Sequence, residues 1–272
     1  MDIDQLTARL RAAEVVARDA CRLALRLRLD RDRLEVRRKG PQDIVTAADI
    51  AVERMIVSTL RDAFPGDSFL GEEGGRSNGA ADAACWVIDP IDGTANFARN
   101  LPHWCVAIAV VVAGRTELGV IFEPVSDALY AARRGAGATC NGTPLRVSST
   151  VDAANAMVDV GYSSRTPAAA YGALTAGLLQ RGMSVINCGS AALGLARVAD
   201  GRLDGYAERH LYAWDALAGL LLVEESGGRV NAFLAGNALT AGNETIAATP
   251  ALYATLCEVM ANVGQKCWNL TI

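Results

Sequence analysis

The stretch Trp86-Val87-Ile88-Asp89-Pro90-Ile91-Asp92-Gly93-Thr94-Ala95-Asn96-Phe97 constrains the fold of this chain more than any other. Cys85 to Ile88 is a short apolar run of the kind that forms a buried strand. It delivers two carboxylates, Asp89 and Asp92, at its C-terminal end. Pro90 disfavours a helical conformation at Asp89, so no ordinary helix continues from that residue. Gly93 and Thr94 then open a helix or helical turn, whose unpaired amides and partial positive charge suit a phosphate. Two acids beside such a turn can share a hard cation with phosphate oxygens, and Mg²⁺ prefers that donor set. A bare DxxD also fits a strand ending in a solvated acidic turn, so the rest of the chain has to decide.

The bulk properties remove several function classes. At 272 residues with 51% hydrophobic and 21% charged, the chain supports one large domain or two tightly joined halves. A net charge of −4 argues against nucleic-acid binding, which favours a basic excess. No apolar run approaches membrane-span length, and Met1 to Asp4 is acidic rather than signal-like, so a cytoplasmic address with no membrane partner is expected. The seven cysteines (Cys21, Cys85, Cys105, Cys140, Cys188, Cys257, Cys267) are odd in number and lack a CxxC pair. They read as small buried hydrophobes, not as a disulfide framework or zinc site. Only two histidines occur, His103 and His210, and both read as structural or exposed. A hydrolase built from this chain would therefore run on carboxylates and hard metals.

In chain order, residues 4–29 carry apolar residues at helical spacing with arginines on the other face. Residues 30–39 are highly charged and lead into an exposed hairpin or loop, which Gly40-Pro41 breaks. Thr46 and Asp49 form a capping-box start for a helix to about Phe64. Ser68 to Gly71 is a strand entering the acidic turn Glu72-Glu73, and 74–84 is a loop. Residues 104–113 and 116–124 are strands joined at Gly114-Arg115, with a further strand at 128–133 and a Gly-rich turn region at 134–142. The composition turns small and polar near 148–152, which divides an N-terminal half (1–148) from a C-terminal half (149–272). In the second half, strands are expected at 156–162, 183–188, 204–208 and 245–248, and helices at 168–180, 191–200, 214–225 and 250–261. Asp215 sits in the first turn of one helix, and Gly227-Gly228 stop it.

Together these strings resemble the inositol monophosphatase family of Mg²⁺-dependent, lithium-sensitive phosphatases. Asp89 to Phe97 matches the DPIDGTxNF signature, Asp43 to Asp49 the DxVTxxD element, and Gly71 to Glu73 the GEE motif. Arg134 to Gly142 is similar to RGxGAxxNG, Gly189 to Ala192 to G-[ST]-A-A, and Trp214 to Gly228 to WDxAAGxxLxxEAGG, with Ser226 among its departures. The resemblance covers essentially the whole chain in the right order. It implies an α+β fold, a layered α-β-α-β-α sandwich of the inositol monophosphatase/fructose-1,6-bisphosphatase type, and a homodimer. It implies that Glu72, Asp89, the Ile91 carbonyl, Asp92 and Asp215 hold two or three Mg²⁺ ions. Asp49 and Thr94, with Glu72 nearby, would orient and activate the attacking water. The Gly93 and Thr94 amides would hold the phosphate of a small phosphorylated substrate. Gly189, Ser190, Ala191 and Glu208 would contact its alcohol, and Lys39 would reach in from a loop.

The resemblance leaves the substrate open. Many relatives carry an arginine where this chain has Ile186, followed here by Asn187, and residues 209–213 also depart from the usual bacterial pattern. Inositol monophosphate is the first expectation. Histidinol phosphate and fructose 1,6-bisphosphate are alternatives. 3′-Phosphoadenosine nucleotides are disfavoured, because that branch tends to read DGTKEF where this chain has Asp92 to Phe97. A regulatory relative that binds protein remains the alternative of a different class.

Overall fold

In the computed structural model, the described residues are 1–29, 36–40, 43–77, 79 and 83–266. Residues 30–35, Pro41, most of the expected loop tip at 78–82, and the tail with Cys267 lie outside them. The N-terminal elements are α1 (Ile3–Leu29), β1 (Val36–Gly40), β2 (Asp43–Thr46), α2 (Ala47–Ala63), β3 (Ser68–Gly71), β4 (Gly75–Arg76), β5 (Cys85–Asp92) and α3 (Thr94–Ala98). There follow β6 (Cys105–Val112), β7 (Arg115–Glu123), β8 (Ala128–Arg133), β9 (Ala138–Cys140) and β10 (Thr143–Pro144). The remainder is β11 (Met157–Val160), α4 (Ala168–Leu179), β12 (Ser184–Ile186), α5 (Ala191–Ala199), β13 (Gly205–Leu211) and α6 (Ala213–Glu225). The chain ends with β14 (Arg229–Val230), α7 (Ala238–Ala241), β15 (Asn243–Ala248) and α8 (Tyr253–Lys266).

Five layers result, as the resemblance implied. An eight-stranded sheet runs β10-β9-β8-β7-β6-β5-β3-β4, and a five-stranded sheet runs β12-β11-β13-β15-β14. Side chains alternate faces along each strand. Trp86, Ile88, Val106, Ile108 and Val110 therefore pack on α1 and α2. Val87, Cys105, Ala107 and Ala109 point the other way, toward α5 and α6. Those two helices fill the space between the sheets, and α4 and α8 cover the far face of the second sheet. α1 buries Leu6, Ala13, Val16, Ala17, Ala20, Cys21 and Ala24, a helical stripe. It is tied down by Arg9, which donates twice to buried Asp67 at 2.8 Å; the Trp86 indole also donates to Asp67, at 2.8 Å.

Small residues on the inner face of the large sheet let α6 approach closely. A Cβ placed on Gly119 of β7 would meet the Ala218 carbonyl oxygen at 2.7 Å and its Cα at 3.0 Å. Both contacts are backbone, so the helix itself would have to move. Gly119→Ala should cost about 1–3 kcal/mol. That is a fall in melting temperature of roughly 2–4 °C per kcal/mol, read by thermal unfolding. An unchanged melting temperature would show that α6 is not held at this point.

Some expectations need correction. The loop at 74–84 contains β4, which pairs with β3. The strand expected over Cys85–Ile88 extends to Asp92, so both acids belong to it. The strand expected to end at Glu208 runs on to Leu211, and β14 and α7 were not anticipated. The last helix covers Tyr253–Lys266 rather than 250–261. Cys21, Cys85 and Cys105 are buried, whereas Cys140, Cys188 and Cys257 are only half-buried; all six are free thiols.

Candidate functional site

Asp89 and Asp92 are three apart, so a regular strand would send them to opposite faces. In the β5–β6 ladder Asp89 pairs with Ala107 and Asp92 with Cys105. Three steps on one strand oppose two on the other, which is a β-bulge. The bulge brings both carboxylates to the inner face, where Ala107 and Cys105 already point. Asp215 arrives from the first turn of α6. Oxygens of Asp89, Asp92 and Asp215 all lie within 4.8 Å of one another, the first two residues buried and the third half-buried.

Asp215, Asp92 and Asp49 are each anchored at a helix start, where partial positive charge favours an anion. Asp215 Oδ2 accepts from Tyr212 N at 2.9 Å, ahead of α6. Asp92 caps α5: its Oδ2 accepts from Ser190 Oγ at 2.5 Å and from Ala192 N at 2.7 Å, and Ala191 N lies 3.3 Å from Oδ1. Asp49 completes the expected capping box of α2, with Oδ2 accepting from Thr46 N at 2.8 Å and from Thr46 Oγ1 at 2.5 Å. Its other oxygen lies 3.0 Å from Thr94 Oγ1, which is also 3.0 Å from the Ile91 carbonyl. Asp89 Oδ1 accepts from Ile91 N at 2.9 Å.

The electrostatics follow from this crowding. Burial first, then Glu72, Asp92, Asp215 and Asp49, push the Asp89 carboxyl well above the usual range. Burial, then Asp92, raises Asp215 to about 7. Burial also raises Asp92 and Asp49, against the hydrogen bonds that favour their charged forms. Like charges held this closely without a cation are costly. The donors are all hard oxygen, with no imidazole among them, which fits Mg²⁺ better than zinc or iron.

A cavity of about 540 Å³ opens beside these acids. Glu72, Asp92, Gly93, Thr94, Gly189, Ser190, Ala191, Glu208 and Asp215 line it, so most of the residues expected at the site meet there. Asp49 stands behind Thr94, and Lys39 lies on β1. Ser190 Oγ and Ala191 N engage Asp92 as well as lining the cavity. Gly93 has φ of +90°, and an added Cβ would meet the His103 carbonyl at 2.8 Å. Only glycine takes that turn without strain.

Three supports escaped the sequence reading. Glu53 of α2 accepts from Glu73 N at 2.8 Å and Gly74 N at 2.6 Å, which fixes the turn after Glu72. The Asn96 amide lies 2.7 Å from the His103 carbonyl, 2.9 Å from that of Cys188 and 3.2 Å from that of Gly189, which joins the Gly93 turn to the entry of α5. Asp159 and Ser163 also line the cavity, beside Asn187, which the sequence had already marked as a departure. An Asn inside the DGTxNF string was the one available signal; Glu53 is one more polar residue of a helix until the fold brings the turn after Glu72 to it, and Asp159 depends on strand register.

The comparisons with known proteins now bear on this arrangement. Residues 3–265 match the model of the inositol monophosphatase family. This chain belongs to the inositol monophosphatase family. It is 41% identical over 215 residues to Nus factor SuhB of Escherichia coli strain K12, which covers 78% of this chain and 80% of that one. The crystal structure of extragenic suppressor protein suhB from Bartonella henselae superposes with a TM-score of 0.87 at 32% identity, covering 93% of this chain and 98% of the other. Inositol monophosphatase from Anabaena (Nostoc) sp. PCC 7120 superposes with a TM-score of 0.81 at 32% identity, covering 95% and 97%. The family is one of metal-dependent phosphatases, and the Asp89, Asp92 and Asp215 cluster can hold a metal ion. No helix among the described residues is long and apolar enough to cross a membrane.

Proposed function

We propose that this protein hydrolyses phosphate monoesters of small alcohols with Mg²⁺, inositol monophosphate being the first substrate to test. The observation that carries this reading is the convergence of Asp89, Asp92 and Asp215 beside a substrate-sized cavity. Glu72, Asp89, Asp92, Asp215 and the Ile91 carbonyl would hold two or three Mg²⁺ ions. Bound there, Mg²⁺ supplies charge neutralisation on the phosphate and lowers the pKa of water.

The protein groups do the rest. Gly93 and Thr94 hold the phosphate against the turn. Thr94 Oγ1 orients the attacking water and passes its proton toward Asp49 Oδ1, with which it is already in hydrogen-bond reach. Asp49 stays fixed because Thr46 holds its other oxygen. Ser190 and the amides of Ala191 and Ala192 keep Asp92 oriented, and Glu208 meets the alcohol beside Gly189. Lys39 would add a contact from the β1–β2 hairpin. Lithium inhibition, a homodimer and a cytoplasmic location complete the proposal, by likeness to the family.

Phosphate release from inositol 1-phosphate, histidinol phosphate, fructose 1,6-bisphosphate and 3′-phosphoadenosine 5′-phosphate tests it. Release that needs Mg²⁺, stops with EDTA and falls with lithium is the expected result. No release from any of the four, with Mg²⁺ binding intact, would overturn it. A second reading rests on the likeness to proteins called Nus factor SuhB: a role on a protein partner in transcription, with or without catalysis. Binding to transcription elongation complexes that survives loss of the metal site would favour it.

A further inference from the structure

The turn that carries Glu72 is held from outside by a side chain. β3 and β4 pair through Leu70 with Arg76 and Gly71 with Gly75, which leaves Glu72, Glu73 and Gly74 as the hairpin loop. The amides of Glu73 and Gly74 both donate to the Glu53 carboxylate, to Oε2 at 2.8 Å and to Oε1 at 2.6 Å. Glu53 is 5% exposed. Glycines make room for it: a Cβ on Gly71 would run into that carboxylate, and one on Gly74 would lie 2.7 Å from Oε1. Two N–H groups aimed at one side chain call for two acceptor oxygens, which a carboxylate offers and an amide does not.

Glu53 stands four residues after Asp49 on α2, so the two acids leave the same face about 6 Å apart along the axis. The helix is fixed, since Ala48, Val52, Ile56 and Leu60 are buried in the core it shares with β5. Asp49 reaches Thr94 Oγ1 at 3.0 Å, and Glu53 reaches the Glu72 turn. One rigid element therefore places the Asp49–Thr94 pair and the Glu72 turn relative to each other. In the parallel β3–β5 ladder Gly71 pairs with Ile88, which brings Glu72 beside Asp89 at the strand ends. After burial itself, Glu72 is the largest cause of the raised Asp89 carboxyl. Glu72 is not one of the three acids whose oxygens lie within 4.8 Å of one another, so its approach to Asp89 follows from where the turn sits.

We propose that Glu53 is a positioning residue for the metal centre: through the Glu73 and Gly74 amides it places the Glu72 carboxylate against Asp89, and so sets the affinity for the Mg²⁺ that those two residues share. The inference rests on the phosphatase reading of the site, in which Glu72 and Asp89 are metal ligands. It adds a residue that lies behind the site and does not line the cavity.

Titration with Mg²⁺ alone, followed by calorimetry, reads the effect without turnover. In Glu53→Gln one oxygen becomes an NH₂ that faces an N–H, the turn loosens, and the Mg²⁺ Kd should rise about tenfold, as for other partners that orient metal ligands. Ile56→Val, a core change in the same helix, should lower the melting temperature and leave Kd within about twofold. Gly74→Ala, at an exposed position of the turn, crowds Oε1 and should weaken Mg²⁺ in the same direction; it carries the test where Glu53→Gln does not fold. A double-mutant cycle is the decisive arm: in Glu72→Gln, which lacks the charge that Glu53 places, adding Glu53→Gln should change Kd by less than about twofold. In phosphate release, the deficit of Glu53→Gln should shrink as Mg²⁺ is raised. An unchanged Kd in folded Glu53→Gln, or in Gly74→Ala where that variant stands in for it, overturns the inference. So does a tenfold effect that persists in the Glu72→Gln background. A wild-type chain whose Mg²⁺ affinity depends on Glu53 in this way but which releases no phosphate overturns the phosphatase reading and leaves the positioning role standing. A wild-type chain that binds no Mg²⁺ overturns both.

Discussion

Replacing Asp92 by Asn should lower Mg²⁺-dependent phosphate release on the order of a thousandfold while the chain still folds. The two halves of that expectation have separate causes. Activity falls because Asn cannot supply an anionic oxygen to a cation shared with Asp89 and Asp215. The fold persists because Asp92 has a second task that Asn largely keeps. Its Oδ2 takes Ser190 Oγ at 2.5 Å and Ala192 N at 2.7 Å at the start of α5, and an Asn carbonyl can do both. The Asn NH₂ then faces Ala191 N, so the long contact of 3.3 Å is lost. Against that loss, a neutral side chain removes one like charge from a crowded cluster.

Asp92→Ala separates the two tasks. It leaves Ser190 Oγ and two amides without an acceptor inside the protein, at about 1–3 kcal/mol for each buried group so exposed. Its melting temperature should therefore fall well below that of Asp92→Asn, although both are inactive. Phosphate release and thermal unfolding on the two variants make the check. Wild-type-like turnover in Asp92→Asn would sink the assignment of Asp92 to the site. Equal melting temperatures would remove its role in holding α5.

How far the sequence was legible depends on how local the signal was. Asp49 could be placed because Thr46 and Asp49 sit three apart in one turn and cap each other. Asp215 could be placed for the same reason, at the start of a helix that ends where Gly227 takes φ of +88°. The strand carrying Asp89 was visible as an apolar run. The bulge that turns Asp89 and Asp92 to one face was not, because it exists only in the pairing with β6. Elements of two to four residues, such as β4, β14 and α7, carry too little pattern to be read before their partners are known. The same limit hid Asp159. Its neighbours in sequence, Val158 and Val160, read as core, and so they are. Only the β11–β13 register sets Asp159 beside Tyr206 and on the same face as Glu208.

Adding Mg²⁺ should raise the melting temperature more at pH 8 than at pH 6, and the metal-free protein should itself be less stable at pH 8. The sign follows from the acids. In the unfolded chain their carboxyls lose protons near pH 4. In the folded chain Asp215 holds its proton to about pH 7. Glu208 holds its proton to about pH 8, chiefly because burial penalises its charge. The folded state thus binds more protons than the unfolded state between those limits, so stability declines as pH rises through them. Between pH 6 and pH 8 the decline should be on the order of 3–4 kcal/mol, or roughly 10 °C. Mg²⁺ offsets it by replacing the missing protons with a cation, and must displace fewer of them at pH 8. At a concentration a hundredfold above Kd the gain is about 2.7 kcal/mol. Thermal unfolding at both pH values, with Mg²⁺ and with EDTA, reads the effect, and Asp215→Asn should shrink the pH-dependent part. An equal Mg²⁺ shift at the two pH values, or a metal-free protein that gains stability toward pH 8, would mean that this cluster does not carry the charge the geometry assigns to it.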